Sequence, residues 1–236
     1  LFTDYTDRKS LIRYSLLALG IWFVGFILSY RLLDQPIMVF IGESSREQFR
    51  LFMREITNIG LGAHYFFGVA LVYVISTFIL KHNLGYKLMA LIGKQRLFYY
   101  QTWSRLFFFA LCIAGIGNLI VKIIFGRQRP HKDPLFLNNI WTFFSSDWDF
   151  HSFPSGHTQV MFCAATMFSF AFPRWKGIFW LVAFVIGFTR IGTLYHFPSD
   201  VWTGGMIGHI FTLWTLYFFD RSGLLVERVK SQVFSV

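Results

Sequence analysis

Charge is scarce in this sequence. Only 14% of its 236 residues are Asp, Glu, Lys or Arg, against roughly 25% in soluble domains, which excludes an ordinary water-facing globular fold. Cysteine is scarce too. Cys112 and Cys163 both fall inside apolar runs, which argues for reduced, buried thiols rather than a disulfide or a metal pair. The chain has no internal repeat, no low-complexity tract, no flexible linker and no nucleic-acid-binding motif.

What the chain has in quantity is apolar surface, with 55% hydrophobic and 21% aromatic residues. Several runs of about 20 residues carry almost no charge, the length that crosses a ~30 Å hydrocarbon core at 1.5 Å per residue. Six are drawn, at 11–33, 62–80, 105–125, 156–172, 177–195 and 199–219. Pro173 closes the fourth, because proline cannot donate the helical hydrogen bond. The expectation is an all-α integral membrane protein, a six-transmembrane-helix bundle with short interfacial helices, in a single domain over residues 1–236. The first run is too long for the apolar part of a secretory signal and lacks a clear small-residue cleavage site, so it is read as a span.

Six spans put both termini on one side of the membrane, and that side carries thirteen Lys and Arg residues against six on the other. By the positive-inside rule the termini are cytoplasmic. The formal net charge of +10 then reflects topology and anionic headgroups, with no nucleic acid required. Two connectors are too patterned to be plain loops. In residues 44–57, Phe49, Phe52, Met53 and Ile56 recur at helical spacing while Arg46, Glu47, Arg50 and Arg54 face elsewhere, as in an interfacial amphipathic helix on the outer side. Residues 86–100 are expected to do the same inside.

Polar residues gather at one depth. The third run ends in "VKIIFGRQRP", with Lys122, Arg127 and Arg129. The fourth opens with "PSGH", with Ser155, Gly156 and His157. The fifth ends at Arg190, and the sixth follows His196 with Asp200 in its first turn. Alternating span direction brings all of them to the outer face. A charge within a span costs about 2.5–3.5 kcal/mol on insertion scales, so a cationic cluster there needs a partner. Lys122, Arg129 and Arg190 outnumber the single carboxylate of Asp200, and the surplus suits a phosphate, whose oxygens match arginine's planar fork. Gly156 permits close backbone approach, the first amides of the fourth helix are unpaired donors, and Ser155 adds a hydroxyl. His157 stands where it can deliver a proton. His196, four residues before Asp200, suits a nucleophile oriented by a carboxylate.

The segments "KIIFGRQRP", "PSGH" and "TRIGTLYHFPSD" closely resemble the three signature motifs of the type 2 phosphatidic acid phosphatase (PAP2) superfamily, in its membrane branch, over residues 122–200. Thr189 stands where the pattern prefers serine. The resemblance implies phosphate binding by Lys122, Arg129, Ser155, the Gly156 amide and Arg190. It implies attack by His196 to form a phosphohistidine, with Asp200 orienting it and His157 protonating the departing alkoxide, without metal or other cofactor. The expected substrate is a phosphorylated lipid, with phosphatidylglycerol phosphate, phosphatidic acid, undecaprenyl pyrophosphate and a lipid A phosphate as candidates. The expected location is a bacterial inner membrane, the site facing the periplasm or exterior. Arg127 is a candidate contact for the lipid headgroup. A lipid phosphotransferase using the same site, or a transporter of an anion or lipid headgroup, are the alternative readings. His131, Asp147, Asp149 and His151 lie in an irregular loop without a firm ligand spacing. Gly204 and Gly208 are read as a close helix contact, and His64 and His209 as packing or hydrogen-bonding groups.

Overall fold

The computed structural model describes residues 7–44, 47–82, 93–133 and 140–221. Helix α1 (Arg8–Leu28) is capped by Asp7, whose carboxylate accepts from the Ser10 amide at 3.0 Å, satisfying one of the orphan donors of its first turn. A π-helical turn over Ser29–Leu33 leads directly into α2 (Asp34–Ser44). The first helical stretch therefore runs on from Arg8 to Ser44, past the expected end at 33. Pro36 follows directly on the π-helical turn, where the regular i→i−4 ladder is already interrupted, and the helix continues past it.

Helix α3 (Glu47–Thr57) is the patterned outer connector. Its Met53 and Thr57 are buried while Arg50 and Arg54 are exposed. A short 3-10 turn, Asn58–Gly60, joins it to α4 (Gly62–Lys81). Helix α5 (Lys94–Phe125) starts well before the expected boundary at 105. Residues 94–100, expected in a separate inner interfacial helix, are the opening turns of α5, and 86–92 lie outside the described residues. Helices α6 (Gly156–Ala171), α7 (Lys176–Gly192) and α8 (Pro198–Arg221) complete the set, with Pro173–Trp175 forming a tight turn between α6 and α7.

Four stretches among the described residues are long and apolar enough to cross a bilayer: Arg8–Ser44, Glu47–Lys81, Lys94–Phe125 and Pro173–Gly192. Their outward faces carry Leu16, Phe67, Leu71 and Leu181, all more than half exposed. Continuous apolar surface of this kind is unstable in water and stable in lipid. The protein is an integral membrane protein. Helix α6, at 16 residues, is about 24 Å long, shorter than the hydrocarbon core.

Helix α6 lies at the centre, packed chiefly on α7 and α8. Its Cys163, Ala164 and Met167 join Val69, Leu106, Phe107, Ala110, Leu111 and Leu216 in the main core cluster. A Cβ at Gly204 or Gly208 would collide with the carbonyl oxygens of Ser155 or Gln159, so α8 lies on α6 almost backbone to backbone, as small residues four apart permit. This contact sets the start of α8 against the start of α6, where the Ser155 amide donates to the Asp200 carbonyl at 3.0 Å.

Just beyond α5, Gly126 has φ 26° and a Cβ there would strike the Thr142 carbonyl. Glycine alone fits that turn. It lets Gln128 donate to Ile140 O at 2.9 Å and Thr142 to Gly126 O at 2.8 Å, which pins the segment carrying Arg127 and Arg129 across the ends of the bundle.

Candidate active site

A cavity of about 330 Å³ opens among the ends of α3, α5, α6 and α7. It is lined by Lys122, Arg129, Gly156, His157, Arg190 and His196 from the sequence motifs, together with Arg54, Thr57, Asn58, Trp148, Thr193 and Tyr195. Among the described residues, four cations face it and no carboxylate does.

Local structure dictates how each group is presented. Lys122, on the last turn of α5, donates Nζ to His151 O at 2.8 Å and Pro154 O at 2.6 Å. An ammonium has three donors, so one remains for a ligand. Arg129 donates Nε to Trp148 O at 3.1 Å, and its guanidinium lies 4.7 Å from the Trp148 ring centroid. Arg190, at the end of α7, reaches Thr57 Oγ1 at 3.2 Å and sits 5.0 Å from the Tyr195 ring. Its Nε is buried without a partner among the described residues, a donor whose desolvation cost an anion would offset. Gly156 opens α6, and a Cβ there would meet only Asn118 Oδ1, at 4.0 Å. The room left by the missing side chain belongs to the cavity.

The two histidines are held differently. His157 packs against the Asn58–Gly60 turn, where a Cβ on Gly60 would come within 3.2 Å of its ring. His196 is buried, and its Nδ1 lies 2.7 Å from Ser152 O. Nδ1 therefore carries the proton, and Nε2, on the opposite side of the ring, is the nitrogen left for a ligand. Burial holds His196 well below its ordinary value of 6.5. The charges of Arg190, Arg129 and Lys122 add to that depression, and Asp200 opposes it.

Three expectations change. Asp200 does not hydrogen-bond His196 directly: its Oδ2 is 3.8 Å from Nδ1, beyond hydrogen-bond reach. That oxygen instead accepts from Ser152 Oγ at 2.6 Å and the Phe197 amide at 2.9 Å, so Ser152 contacts both the carboxylate and the imidazole. Ser155 is fully buried and does not line the cavity; its hydroxyl caps α6, accepting from Thr158 Oγ1 at 2.9 Å. Arg127 is 0% exposed and so meets no headgroup. It donates to Asp200 Oδ1 at 2.6 Å, Ser199 Oγ at 2.7 Å and Asp34 Oδ2 at 2.7 Å, inside a cage formed by the faces of Tyr30, Trp141 and Phe197.

Sequence reasoning missed Asp34, Ser152, Arg54, Trp148 and Tyr195. Asp34 carried a signal, since an acid just past an apolar run is costly unless paired. Ser152 and the two aromatics carried none. The loop histidines and acids are otherwise occupied: His151 Nε2 is 3.0 Å from Ser145 O, His131 Nδ1 is 3.3 Å from Leu194 O, and Asp149 pairs with Lys132 at 2.9 Å. His209 lies between Tyr14 Oη at 2.8 Å and Thr166 Oγ1 at 2.9 Å, the packing role expected of it.

Fold and site together define a helical membrane protein with a cationic, two-histidine cavity at the end of its bundle. The family profile of the PAP2 superfamily matches residues 103–224, more than half of the chain, and the chain belongs to that superfamily. It is 32% identical to the lipid A 1-phosphatase of Rhizobium johnstonii over 66% of this chain and 65% of that protein. It is 31% identical to the bacitracin transport permease protein BcrC of Bacillus licheniformis over 56% of this chain and 68% of that one. The chain thus spans about 65% of the length of the lipid A 1-phosphatase it matches. Among solved structures it resembles Aquifex aeolicus LpxE at 23% identity, with a TM-score of 0.51 over 80% of this chain and 98% of that one. It also resembles a transmembrane PAP2-type phosphatidylglycerolphosphate phosphatase from Bacillus subtilis at 19% identity, with a TM-score of 0.52 over 90% and 96%. These two likenesses concern the fold.

Proposed function

We propose that this protein is a membrane lipid phosphatase, a single catalytic domain over residues 1–236 that removes a phosphate from a lipid headgroup. The observation that carries this reading is the cavity itself, where two imidazoles and the cations of Lys122, Arg129 and Arg190 share one hollow with no carboxylate among its described lining residues. Such an arrangement suits the spread of negative charge in phosphoryl transfer.

His196 Nε2 attacks phosphorus, the bond from phosphorus to the lipid oxygen breaks, and His157 gives the leaving alkoxide its proton. Water then attacks the phosphohistidine with His157 as base, releasing inorganic phosphate and restoring His196. The chemistry needs no metal, because the fixed cations supply the positive charge.

All six long helical segments cross the bilayer in this reading, with α6 spanning by local thinning and by burial of its short ends in protein. The termini are cytoplasmic, as the distribution of Lys and Arg favours, and the cavity opens on the extracytoplasmic side of a bacterial cytoplasmic membrane. The identity to lipid A 1-phosphatase favours a lipid A phosphate among the candidate substrates; phosphatidic acid, phosphatidylglycerol phosphate and undecaprenyl pyrophosphate share the same reacting group.

Transport, which the name of one relative suggests, calls for polar positions near the midplane and access from both sides. Here the cations gather at one end, above the apolar cluster on α6. The deciding experiment is phosphate release by purified protein from a panel of lipid A, phospholipid and polyprenyl phosphates. His196→Ala is expected to lower turnover by on the order of 10⁴-fold or more; activity that survives the substitution removes the assigned nucleophile.

A further inference from the structure

Behind the cavity lies a second polar centre that contributes nothing to its lining. Asp34, at the start of α2, is 2% exposed and accepts four hydrogen bonds. Ser199 donates through its amide at 2.9 Å and through its hydroxyl at 2.5 Å, Arg127 through NH2 at 2.7 Å, and Ser29 at 3.4 Å. Arg127 then passes its other amino group to Asp200 Oδ1 at 2.6 Å. Asp34 and Ser199 are 165 residues apart in sequence.

A buried Asp–Arg–Asp set is a poor way to gain stability, because desolvation of three charges consumes most of the attraction between them. Its geometry points elsewhere. The π-helical turn Ser29–Leu33 ends at Asp34, whose amide closes it by donating to Ser29 O. The extra residue of a π turn rotates the helix beyond it, and such turns frequently mark functional positions. Here the rotation brings Asp34 onto the first turn of α8, where a carboxylate also meets the positive end of a helix dipole.

We propose that Asp34 is a positioning residue for His196, acting through Arg127 and Asp200. The guanidinium has two amino ends. With NH2 committed to Asp34, NH1 serves Ser199 Oγ and Asp200 Oδ1, and Asp200 Oδ2 is left to take the Ser152 hydroxyl and the Phe197 amide. Ser152 in turn presents its carbonyl to His196 Nδ1 at 2.7 Å. Without Asp34, the fork of Arg127 can close on both oxygens of Asp200, the usual bidentate geometry, and the Ser152 contact that sets the imidazole is lost. The set also carries one net negative charge behind His196, which stabilises the positive charge that the ring gains when Nε2 bonds to phosphorus.

This inference rests on the phosphatase reading with His196 as nucleophile. The test uses the full chain in detergent with dioctanoyl phosphatidic acid as substrate, and inorganic phosphate and vanadate as ligands. Asp34→Asn is expected to lower kcat by on the order of 10- to 100-fold, the scale of a misplaced reacting group, with KM and inhibition by inorganic phosphate unchanged. Vanadate, which imitates pentacoordinate phosphorus, should weaken in step with kcat, and Asp34→Glu should recover part of the loss.

A folded Asp34→Asn protein with unchanged kcat, or one whose loss matches its unfolded fraction while vanadate binds normally, overturns the proposal. If Asp34→Asn does not fold, Ser199→Ala keeps every charge and the direct Asp34–Arg127 pair while removing the hydroxyl that donates to Asp34 and accepts from Arg127. A smaller kcat loss with the same KM and vanadate pattern is then expected, and an unchanged kcat overturns the proposal. If neither folds, the centre is a folding element and the proposal falls. Wild-type protein that releases no phosphate from any of the lipid A, phospholipid and polyprenyl phosphates refutes the phosphatase reading itself, and a His196→Ala variant that still releases it refutes the assigned nucleophile. An active wild type with an inert His196→Ala and an unaffected Asp34→Asn refutes only the positioning role.

Discussion

His196 Nδ1 lies 2.7 Å from the carbonyl oxygen of Ser152, whose hydroxyl donates to Asp200 Oδ2 at 2.6 Å. One serine therefore joins imidazole and carboxylate through its two oxygens. The ring is held by a neutral acceptor that no change of pH can protonate, while the charge of Asp200 acts from 3.8 Å away.

The depressed proton affinity of His196 sets the acid side of activity. In the proposed mechanism its neutral ring is the nucleophile, so the acid limb of kcat/KM should fall at a pH well below 6.5. Stability follows the same sign. The unfolded chain binds this proton near pH 6.5 and the folded chain only at lower pH, so His196 contributes stability above that range that is lost as pH falls below it. A pH–rate profile with its acid limb at or above 6.5 contradicts the assignment.

His157 should matter in proportion to how much the leaving group needs a proton. On an alkyl phosphate lipid, His157→Ala is expected to lower kcat by about 10² to 10⁴-fold. On an aryl phosphate, whose phenolate departs unaided, the loss should be much smaller. Equal losses on the two substrates would remove proton delivery from this residue.

Gly156→Ala separates fold from site. The added Cβ meets only Asn118 Oδ1 at 4.0 Å, and alanine is the better helix former, so the melting temperature should hold or rise. The same methyl enters the cavity, and kcat/KM should drop by on the order of 10- to 100-fold. Full activity would place the phosphate away from the start of α6.

Arg54 lines the cavity from the exposed side of α3, where it can meet the part of the headgroup that does not react. Arg54→Ala should raise KM by roughly two- to fivefold, the worth of an exposed ion pair of about 0.2–1 kcal/mol, and leave kcat alone. The wild-type KM should also rise with salt more steeply than that of the variant. A fall in kcat instead would put Arg54 among the groups that act on phosphorus.

Much of this architecture was legible in the linear sequence, because its causes are local. Apolar runs of bilayer length and the patterning of α3 placed the helical segments to within a few residues, except where helices ran on through Asp34 and before Arg105. Both extensions occur where polar residues sit in helical stretches without breaking them. Motif spacing also placed Lys122, Arg129, Gly156, His157, Arg190 and His196, which line one cavity.

Only the tertiary structure decided which atom touches which. That Ser152 rather than Asp200 holds His196, that Arg127 is sealed between two carboxylates, and that Asp34 reaches Ser199 from 165 residues away all depend on helix rotation and register. A hydrogen bond is made or lost over a few tenths of an ångström, and the twist of one helical turn moves a side chain farther than that. Composition and spacing brought the right residues to the right depth, and packing assigned their partners.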